Sequence, residues 1–504
     1  MDPYFAPNSV PDIYLLRCEE MGALEEGRFD PEVSDNTVGE GAGGPAMGTM
    51  ENAVRVLLMG LGEDSEREGL RKTPIRVAKA FREGTRGYRQ KVEDIVQGAF
   101  FPEAGLDNGI GQAGGAGGLV VVRDINLFSY CESCLLPFSI KCHVGYVPSA
   151  QRVVGLSKLS RVADVYARRL QEPQRLADEI CQALQNSIRP AGVSVALQCW
   201  HIQFPEVLKC NLNLSRHPSR SSMQGWVHTS VCSSTGVFEQ KKSSFSDDFH
   251  TLLQFSGANF DLSNAGYSIH SWCPSRSLDV TESNGHMVRN NLLNGRIFSM
   301  SVVSYTSMVA AVASIILSLG EDPSRKELVG TPYRYVHWLM NFSRSNIDIN
   351  QNGFLLNAIN SHKSSNGYIH RENEINSELN LPFCAQCEHH LLPFHGVVHI
   401  GYFHDEEKKD IDRSSLQAIV HFYGCKLQVQ ERLTRQIAEA VYSVLGRGVM
   451  VVVEANHICM VSRGIEKVGS STATIAVMGQ FSTDITAKAL FLEAISKVTA
   501  AVGP

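Results

Sequence analysis

Residues 387–394 read CEHHLLPF, and residues 131–138, which lie 256 positions earlier, read CESCLLPF. Two more pairs of segments repeat at almost the same spacing: Thr73-Pro74 with Thr331-Pro332, and residues 170–176 (LQEPQRL) with residues 427–433 (LQVQERL). Three collinear matches at nearly one spacing indicate an internal duplication. The period is too long for a solenoid repeat, so the sequence predicts two whole domains in tandem.

The bulk composition excludes several classes of protein. The chain of 504 residues is 43% hydrophobic and 19% charged, which is typical of a globular protein. Its net charge of −6 disfavours a nucleic-acid partner, because binding phosphates needs a basic surface. The 13 cysteines are too sparse for a disulfide framework, and no hydrophobic signal segment opens the sequence. We therefore expect a cytoplasmic protein with reduced thiols, some of them metal ligands.

The order of apolar segments predicts the organisation of the chain. We expect a disordered tail over residues 1–48, domain one over 49–256, a linker over 257–300 and domain two over 301–504. Each domain alternates helices with hairpin-like strand pairs, which predicts an α+β fold with an antiparallel sheet. Expected strands are 120–122, 139–147, 193–197, 397–402 and 449–454, and expected helices include 162–170, 173–188, 416–422, 429–445 and 487–498.

Three local patterns predict the structure of short segments. Thr73 is expected to cap a helix that begins at Pro74. Residues 302–319 carry no charge, but serines and threonine dilute them, so we predict a buried or interface helix rather than a membrane span. Residues 109–114 spell the dinucleotide-binding fingerprint, but a strand follows them where that motif needs a helix, so we predict a surface loop.

Domain two carries residues that could hold a metal ion. Cys387 and His390 offer a thiolate and an imidazole three residues apart, and Cys459 follows a predicted strand far downstream. Three such ligands suit a catalytic zinc with an open fourth position, whereas Cys384 as a fourth ligand would close the site into a structural one. His389 is either a proton donor or a packed side chain. Spacing alone leaves these alternatives open.

The combination of motifs resembles GTP cyclohydrolase I. The resemblance rests on CEHH at 387–390, on LQVQERL at 427–433 and on HICMVSRG at 457–464, and the duplication is similar to the tandem form of plants. It implies the tunnelling fold (T-fold), an antiparallel sheet backed by helices that assembles into a ring-shaped homo-oligomer. It also implies the conversion of GTP and water to 7,8-dihydroneopterin triphosphate and formate, the first step of folate synthesis.

The resemblance further implies roles for individual residues of domain two. Zinc would provide an activated water for attack on C8 of guanine, His389 would protonate the opening ring, and His457 would act as general acid and base in the later steps. The residues that match the family's pattern are Cys387, His390 and Cys459 for zinc, Gln430 and Glu431 for guanine, and Arg463 for the triphosphate.

Each domain departs from the family's pattern in a different way. Domain two lacks part of the phosphate-binding set: residues 412–415 read DRSS in place of GLSK, Ala418 replaces an arginine, and His337 replaces a lysine. Domain one has lost metal and base residues, with Ser133, Cys134 and Gln203 at the positions of the catalytic histidine and two zinc ligands. It keeps the phosphate-binding residues Arg76, Lys79, Ser157, Lys158 and Arg161.

This division predicts a composite site in which domain two provides zinc, acid–base groups and guanine recognition, and domain one provides cations for the triphosphate. A dead domain one kept only for assembly is the competing interpretation. Cys131 and Cys134, with Cys142 and His143 nearby, are either remnants of the older motif or a second, structural zinc site. The alternative function is a zinc-stabilised T-fold binding or regulatory protein without turnover, which would not need His389 and His457.

Overall fold

The structure is a computed structural model, and its described residues lie between positions 45 and 502. The described stretches are 45–97, 100–102, 118–149, 152–203, 225–240, 244–255, 272–278, 303–340, 375–403, 411–463 and 470–502. Of the expected tail, residues 1–44 lie outside these stretches, as does the glycine-rich pattern at 109–114. The expected linker is described only at residues 272–278.

Domain one is a five-stranded sheet with helices packed on it. Two of these helices, α4 and α5, bury their apolar sides against the strands. The elements of domain one are α1 Pro45–Gly60, α2 Thr73–Gly84, α3 Val92–Val96, β1 Phe100–Pro102, β2 Val120–Cys131, β3 Pro137–Val147, β4 Arg152–Val154, α4 Leu156–Ala167, β5 Leu170–Gln171, α5 Pro173–Ile188, β6 Gly192–Gln203, β7 Gly225–Gly236 and α6 Phe245–Gln254.

Domain two repeats this architecture. The elements of domain two are α7 Tyr305–Ser318, α8 331–340, β8 Ile375–Cys387, β9 Pro393–Phe403, α9 Arg413–Gly424, β10 Leu427–Gln428, α10 Gln430–Leu445, β11 Gly448–His457, α11 Ile458–Val461, β12 Thr472–Gly479 and α12 Ile485–Val502. The closing helix α12 packs near β8 and covers a separate apolar cluster that includes Phe403, Phe481 and Phe491.

The two sheets have the same topology. Their strand orders are β5-β2-β3-β6-β7 and β10-β8-β9-β11-β12, and every pairing is antiparallel except the two short parallel ones at β5 and β10. The pairing register is also repeated, since His201 lies opposite Phe138 in domain one and His457 lies opposite Phe394 in domain two. The α+β class with two tandem T-fold sheets is therefore confirmed.

The expected helix over residues 302–319 is present as α7, and one side of it is buried. It pairs with α1 of domain one in a shared apolar cluster whose members include Val54, Leu58, Val312 and Ile316. Among the described residues, none of the helices combines the length and hydropathy of a membrane span. The unusual apolarity of this segment is explained by burial against its counterpart in the other domain.

Several predicted elements have wrong ends for identifiable reasons. The helix expected over 162–170 spans Leu156–Ala167 instead, because Leu170 is used in β5, opposite Tyr130. The strand expected at 120–122 continues to Cys131 through a bulge after Val122, where Asp124 has a positive φ of 56°. The bulge interrupts the alternation of side chains that would have revealed the longer strand. The same bulge recurs in β8, with Asn380 at φ 56°.

The expectation that Thr73 caps a helix is wrong. Thr73 is the first residue of α2, and its hydroxyl donates to the carbonyl oxygen of Glu388 in domain two at 2.7 Å. Thr331 does the same in the opposite direction, donating to the carbonyl oxygen of Glu132. A local capping pattern is thus replaced by a contact between domains, which sequence alone cannot reveal. The Thr-Pro pairs join each helix to the other domain's Cys-Glu turn.

Two buried glutamates form ion pairs that also join the two domains. The Glu388 carboxylate is 3% exposed, and it accepts from Arg67 of domain one at 3.0 Å and from Arg432 of its own domain at 2.6 Å. Glu132 has the same arrangement, with Arg175 at 2.8 Å and Arg325 of domain two at 3.1 Å. Because Glu132 and Glu388 directly follow Cys131 and Cys387, these ion pairs hold both turns against the domain interface.

We expect Glu388→Gln to lower the melting temperature of the full chain. The substitution leaves the Arg67 and Arg432 guanidinium groups facing a neutral amide, which costs about 2 kcal/mol and corresponds to a shift of roughly 4–8 °C for a domain of this size. Glu378→Gln is the matched control, because Glu378 pairs with Arg413, whose side chain is 51% exposed, and such surface pairs contribute little. Equal shifts for both variants would contradict this account.

Candidate active site

The structure brings together three of the predicted ligands of domain two. Cys387 is the last residue of β8, His390 lies in the turn that follows, and Cys459 lies in the short helix α11 after β11. Their ligand atoms all lie within 4.8 Å of one another, and the Cys387 Sγ is 3.9 Å from the His390 Nδ1. Both thiols are buried and the imidazole is partly exposed. One side of the cluster therefore faces an accessible space.

The turn between β8 and β9 sets the positions of Cys387 and His390. The Cys387 N–H donates to the Leu392 carbonyl at 2.8 Å, and the Leu391 N–H donates to the Cys387 carbonyl at 2.9 Å. Leu391 has a positive φ of 53° although its side chain is fully buried. A leucine in this region costs about 1 kcal/mol or more, so burial of the side chain keeps the turn closed. Leu135 has the same conformation in domain one, at φ 57°.

The electrostatics of the cluster favour a thiolate at Cys387. A hydrogen bond from Cys459 lowers the pKa of the Cys387 thiol well below its ordinary value, and His390 and the His389 N–H act in the same direction. The same hydrogen bond raises the pKa of Cys459. Two thiols and one imidazole are the donor set of a soft divalent metal, and a three-ligand site leaves one position for water or substrate. The donor set thus fits zinc.

Cys384 is not a member of this cluster, although the sequence made it a candidate fourth ligand. Within the described residues, the metal-ligating group of domain two consists of Cys387, His390 and Cys459. Cys384 is three residues earlier on β8, and its pKa is raised well above its ordinary value by burial and by the neighbouring Cys425. Its position outside the cluster makes Cys384 a packing residue rather than a ligand.

His457 lies at the end of β11, where its ring is fixed from two sides. It stacks on Phe394 with ring centroids 4.7 Å apart and planes 6° apart. Its Nε2 lies 2.8 Å from the Gln430 Oε1, and the Gln430 amide nitrogen donates to the carbonyls of Val453 and Thr472. Because those two carbonyls can only accept, the amide oxygen must face His457, so the His457 Nε2 carries a proton.

His389 lies beside the cluster and close to domain one. Burial lowers the pKa of His389, the neighbouring thiol of Cys387 acts in the opposite direction, and the positive charge of Arg76 lowers it again. Arg76 belongs to α2, the helix whose first residue bonds to the Glu388 carbonyl. A cation of domain one therefore acts electrostatically on the predicted acid–base group of domain two.

The remaining predicted substrate residues of domain two lie near the same turn. Glu431 is exposed at the start of α10, next to the buried Gln430. Arg463 is exposed and its Nε donates to the Cys459 carbonyl at 3.1 Å. A further contact joins the domains here without any signal in the sequence: the Arg168 guanidinium of domain one donates to the Ser462 carbonyl at 3.2 Å.

The phosphate-binding candidates of domain one fall into two groups. Arg76 and Lys79 lie on α2, close to domain two. Ser157, Lys158 and Arg161 lie in the first half of α4, and the Lys158 ammonium donates to the Ile95 carbonyl of its own domain at 2.7 Å. At the helical rise, Lys158 is about 15 Å along α4 from Arg168, which contacts Ser462.

A second group of possible metal ligands lies in domain one. It consists of Cys131, Cys134, His201 and Cys273, all of them buried. Cys142 and His143, which the sequence suggested as companions of Cys131 and Cys134, are not part of it. The Cys142 side chain is buried in the apolar core, and the His143 Nδ1 accepts from the Asp124 N–H at 3.2 Å. Cys273 comes from a stretch without periodicity, so its place in this group could not be predicted from the sequence.

The fold and the two clusters define a tandem T-fold protein with centres that can hold a metal ion. The family model described as GTP cyclohydrolase I matches residues 50–205 and 308–496, one match in each domain. The chain is 55% identical to GTP cyclohydrolase 1 of Solanum lycopersicum over 478 residues, which cover 94% of this chain and 98% of the relative. The chain therefore belongs to the GTP cyclohydrolase I family and is an enzyme, a hydrolase.

Two further relatives support the tandem organisation. GTP cyclohydrolase 1 of Arabidopsis thaliana is 52% identical over 491 residues, 95% of this chain and 98% of the relative. GTP cyclohydrolase 1 of Gloeobacter violaceus is 46% identical over 168 residues, which are 73% of the relative but only 33% of this chain. The plant relatives thus match the whole two-domain chain, while the shorter relative matches one part. The family match therefore argues against the alternative function, a binding or regulatory protein without turnover.

Proposed function

We propose that the chain converts GTP and water to 7,8-dihydroneopterin triphosphate and formate, the entry reaction of folate biosynthesis, at a site shared by its two domains. The observation that carries the proposal is the cluster of Cys387, His390 and Cys459, with His389 beside it and the positive charge of Arg76 of domain one acting on the pKa of that histidine. The family match supports the reaction, and the cluster supports placing the site at the turn after β8.

Cys387, His390 and Cys459 would hold zinc. When bound there, zinc would act as a Lewis acid that makes water a nucleophile toward C8 of the guanine ring. The two thiols are held by the closed turn after β8 and by α11, so their positions do not depend on substrate. The partly exposed His390 marks the side from which the purine enters.

The histidines provide the proton transfers of the reaction. His389, whose pKa is lowered by burial and by Arg76, is held mostly neutral near pH 7 and takes or gives a proton at the imidazole ring of guanine as that ring opens. His457 carries its proton on Nε2, held toward Gln430, and acts in the later steps in which formate leaves and the new ring closes. Gln430 therefore also positions His457, while the exposed carboxylate of Glu431 accepts from the guanine N–H groups.

The triphosphate is bound by cations from domain one. Arg76 and Lys79 come from α2 of the same chain, because that helix is fixed to the Glu388 turn through Thr73. Ser157, Lys158 and Arg161 come from domain one of a neighbouring chain, because within one chain α4 directs its other end, at Arg168, toward Ser462. Arg463 completes the set from domain two. Each charge-assisted contact offsets part of the phosphate charge.

This arrangement requires a homo-oligomer, and we place it in the cytoplasm. The long outer strands β7 and β12 each pair on one side only within the described residues, so a neighbouring sheet can extend them into a ring. None of the described cysteines forms a disulfide bond, and thiol ligands persist in a reducing compartment. GTP is the partner that this site selects.

The direct test is formate release from GTP by the full chain loaded with zinc. We expect formate and the fluorescent oxidised pterin derived from the product to form in equal amounts. Release of inorganic phosphate without formate, or no turnover by a chain with full metal content, would overturn the proposed reaction.

A further inference from the structure

The four side chains of the domain one cluster have the geometry of a closed metal site. The ligand atoms of Cys131, Cys134, His201 and Cys273 all lie within 4.8 Å of one another. The His201 Nε2 is 3.3 Å from the Cys134 Sγ and 3.9 Å from the Cys273 Sγ. Tetrahedral zinc, with bonds of about 2.3 Å to sulfur and 2.0 Å to nitrogen, requires ligand separations of about 3.6 Å. The observed distances lie on both sides of this value.

The imidazole of His201 is held in the tautomer that a metal ligand needs. Its Nδ1 lies 2.8 Å from the Ile202 carbonyl oxygen. A carbonyl oxygen only accepts, so Nδ1 carries the proton and Nε2 offers a lone pair to the three sulfur atoms. A backbone carbonyl behind a ligating histidine is a common device for fixing its orientation. His201 is 1% exposed, so no solvent competes for this nitrogen.

Cys273 reaches the cluster from outside the duplicated segments. It belongs to the stretch 272–278, which packs on domain one at three points. Trp272 lies edge-on against Phe138 and His201, with ring centroids 5.3 and 5.5 Å apart. The Arg276 Nε donates to the Ser133 hydroxyl at 2.7 Å. Ser133 is the counterpart of His389, so this stretch covers the place where domain two has its acid–base group.

The ligand set is a rearrangement rather than a remnant of the one in domain two. Cys134 stands where His390 stands, and His201 is the counterpart of His457, which in domain two is bonded to Gln430 and is not a ligand. Cys273 has no counterpart in the repeat. Decay of an old site does not bring three buried thiols and a correctly oriented imidazole to one point, because unpaired polar groups in a core are costly.

We propose that domain one holds a second metal ion, a structural Zn²⁺ bound by Cys131, Cys134, His201 and Cys273. The three thiols bind as thiolates and release their protons to solvent, and the neutral imidazole is the fourth ligand. The ion fastens residues 272–278 over the counterpart of the active-site pocket. Four protein ligands leave no position for water, so this site is structural and the pocket of domain one is closed to substrate.

The test is the zinc content of the full chain and of a variant that lacks the site in domain two. Wild type is expected to contain two zinc ions per chain, and Cys459→Ser is expected to keep one. Cobalt substituted into Cys459→Ser is expected to give the absorption of a tetrahedral site with three thiolates and one imidazole. One zinc ion in wild type and none in Cys459→Ser would overturn the proposal, as would a cobalt spectrum with fewer than three thiolates.

Cys273 is tested separately, because it distinguishes this ligand set from any other. Cys273→Ala is expected to reduce the zinc content from two ions to one while the ion of domain two remains. Cys232→Ser is the matched control, since Cys232 is a partly buried thiol of domain one outside the cluster, and it is expected to keep both ions. Retention of two ions by Cys273→Ala would overturn the assignment. If that variant does not fold, the comparison of wild type with Cys459→Ser decides alone.

Discussion

Cys459→Ser is expected to lower kcat for formate release from GTP by about a thousandfold or more, because activation of water by the metal depends on this ligand. Cys459 is one of the three proposed ligands among the described residues of domain two, and its thiol is buried near that of Cys387. A serine hydroxyl is a poor ligand for a soft metal, so the ion of domain two is lost together with the activity. The measurement is kcat alongside the zinc content of the same preparation.

Cys384→Ser is the matched control for this prediction. Cys384 is a thiol of the same domain, three residues from Cys387, but it lies outside the cluster. Its replacement is expected to leave the zinc content unchanged and to keep kcat within a few-fold of wild type. Loss of zinc in Cys384→Ser would show a four-ligand structural site and contradict the open site described here.

Arg76→Ala is expected to reduce kcat/KM for GTP by about 10- to 100-fold, the usual cost of losing a hydrogen bond to a charged group. The positive charge of Arg76 in domain one acts on the pKa of His389, and Arg76 is proposed to bind the triphosphate. Most of the effect is expected in KM, because the interaction exists before the chemical step. The zinc content is expected to stay as in wild type.

Arg82→Ala is the control for Arg76→Ala. Arg82 lies on the same helix, α2, where it is exposed, and it belongs to no predicted site. Its replacement is expected to leave kcat/KM unchanged. If both variants lose activity to the same extent, the effect reflects helix stability or general surface charge, and Arg76 does not contact the triphosphate.

The fold class could be predicted from the sequence because the duplication shows the pattern of the main helices and strands twice. Cys387 is at the end of a strand, and His390 follows three residues later within the same turn. The proximity of Cys387 and His390 is therefore a local property that the sequence shows. Cys459 was also predictable, because it follows a strand that pairs with the one after the turn. The roles of these residues in zinc binding and catalysis remain predictions.

The features that the sequence could not predict all depend on contacts between distant segments. Thr73 has the local pattern of a helix cap, but its hydroxyl bonds to Glu388 in the other domain. Gln430 was predicted from the motif as a guanine ligand, yet its amide is already engaged by His457 and two backbone carbonyls. Cys273 lies in a stretch without periodicity. Local propensity does not contain this information, because tertiary packing overrides it.

Complementation between inactive chains tests the shared site most directly. Chains carrying Lys158→Ala retain the metal site, and chains carrying Cys459→Ser retain Lys158. If Lys158 acts in the site of a neighbouring chain, random mixed assemblies are expected to recover on the order of a quarter of wild-type activity. The same experiment with Arg76→Ala and Cys459→Ser chains is expected to give no more activity than the Arg76→Ala chains contribute alone, because Arg76 acts within its own chain. Mixtures of the first kind that remain as inactive as their parents would contradict the account.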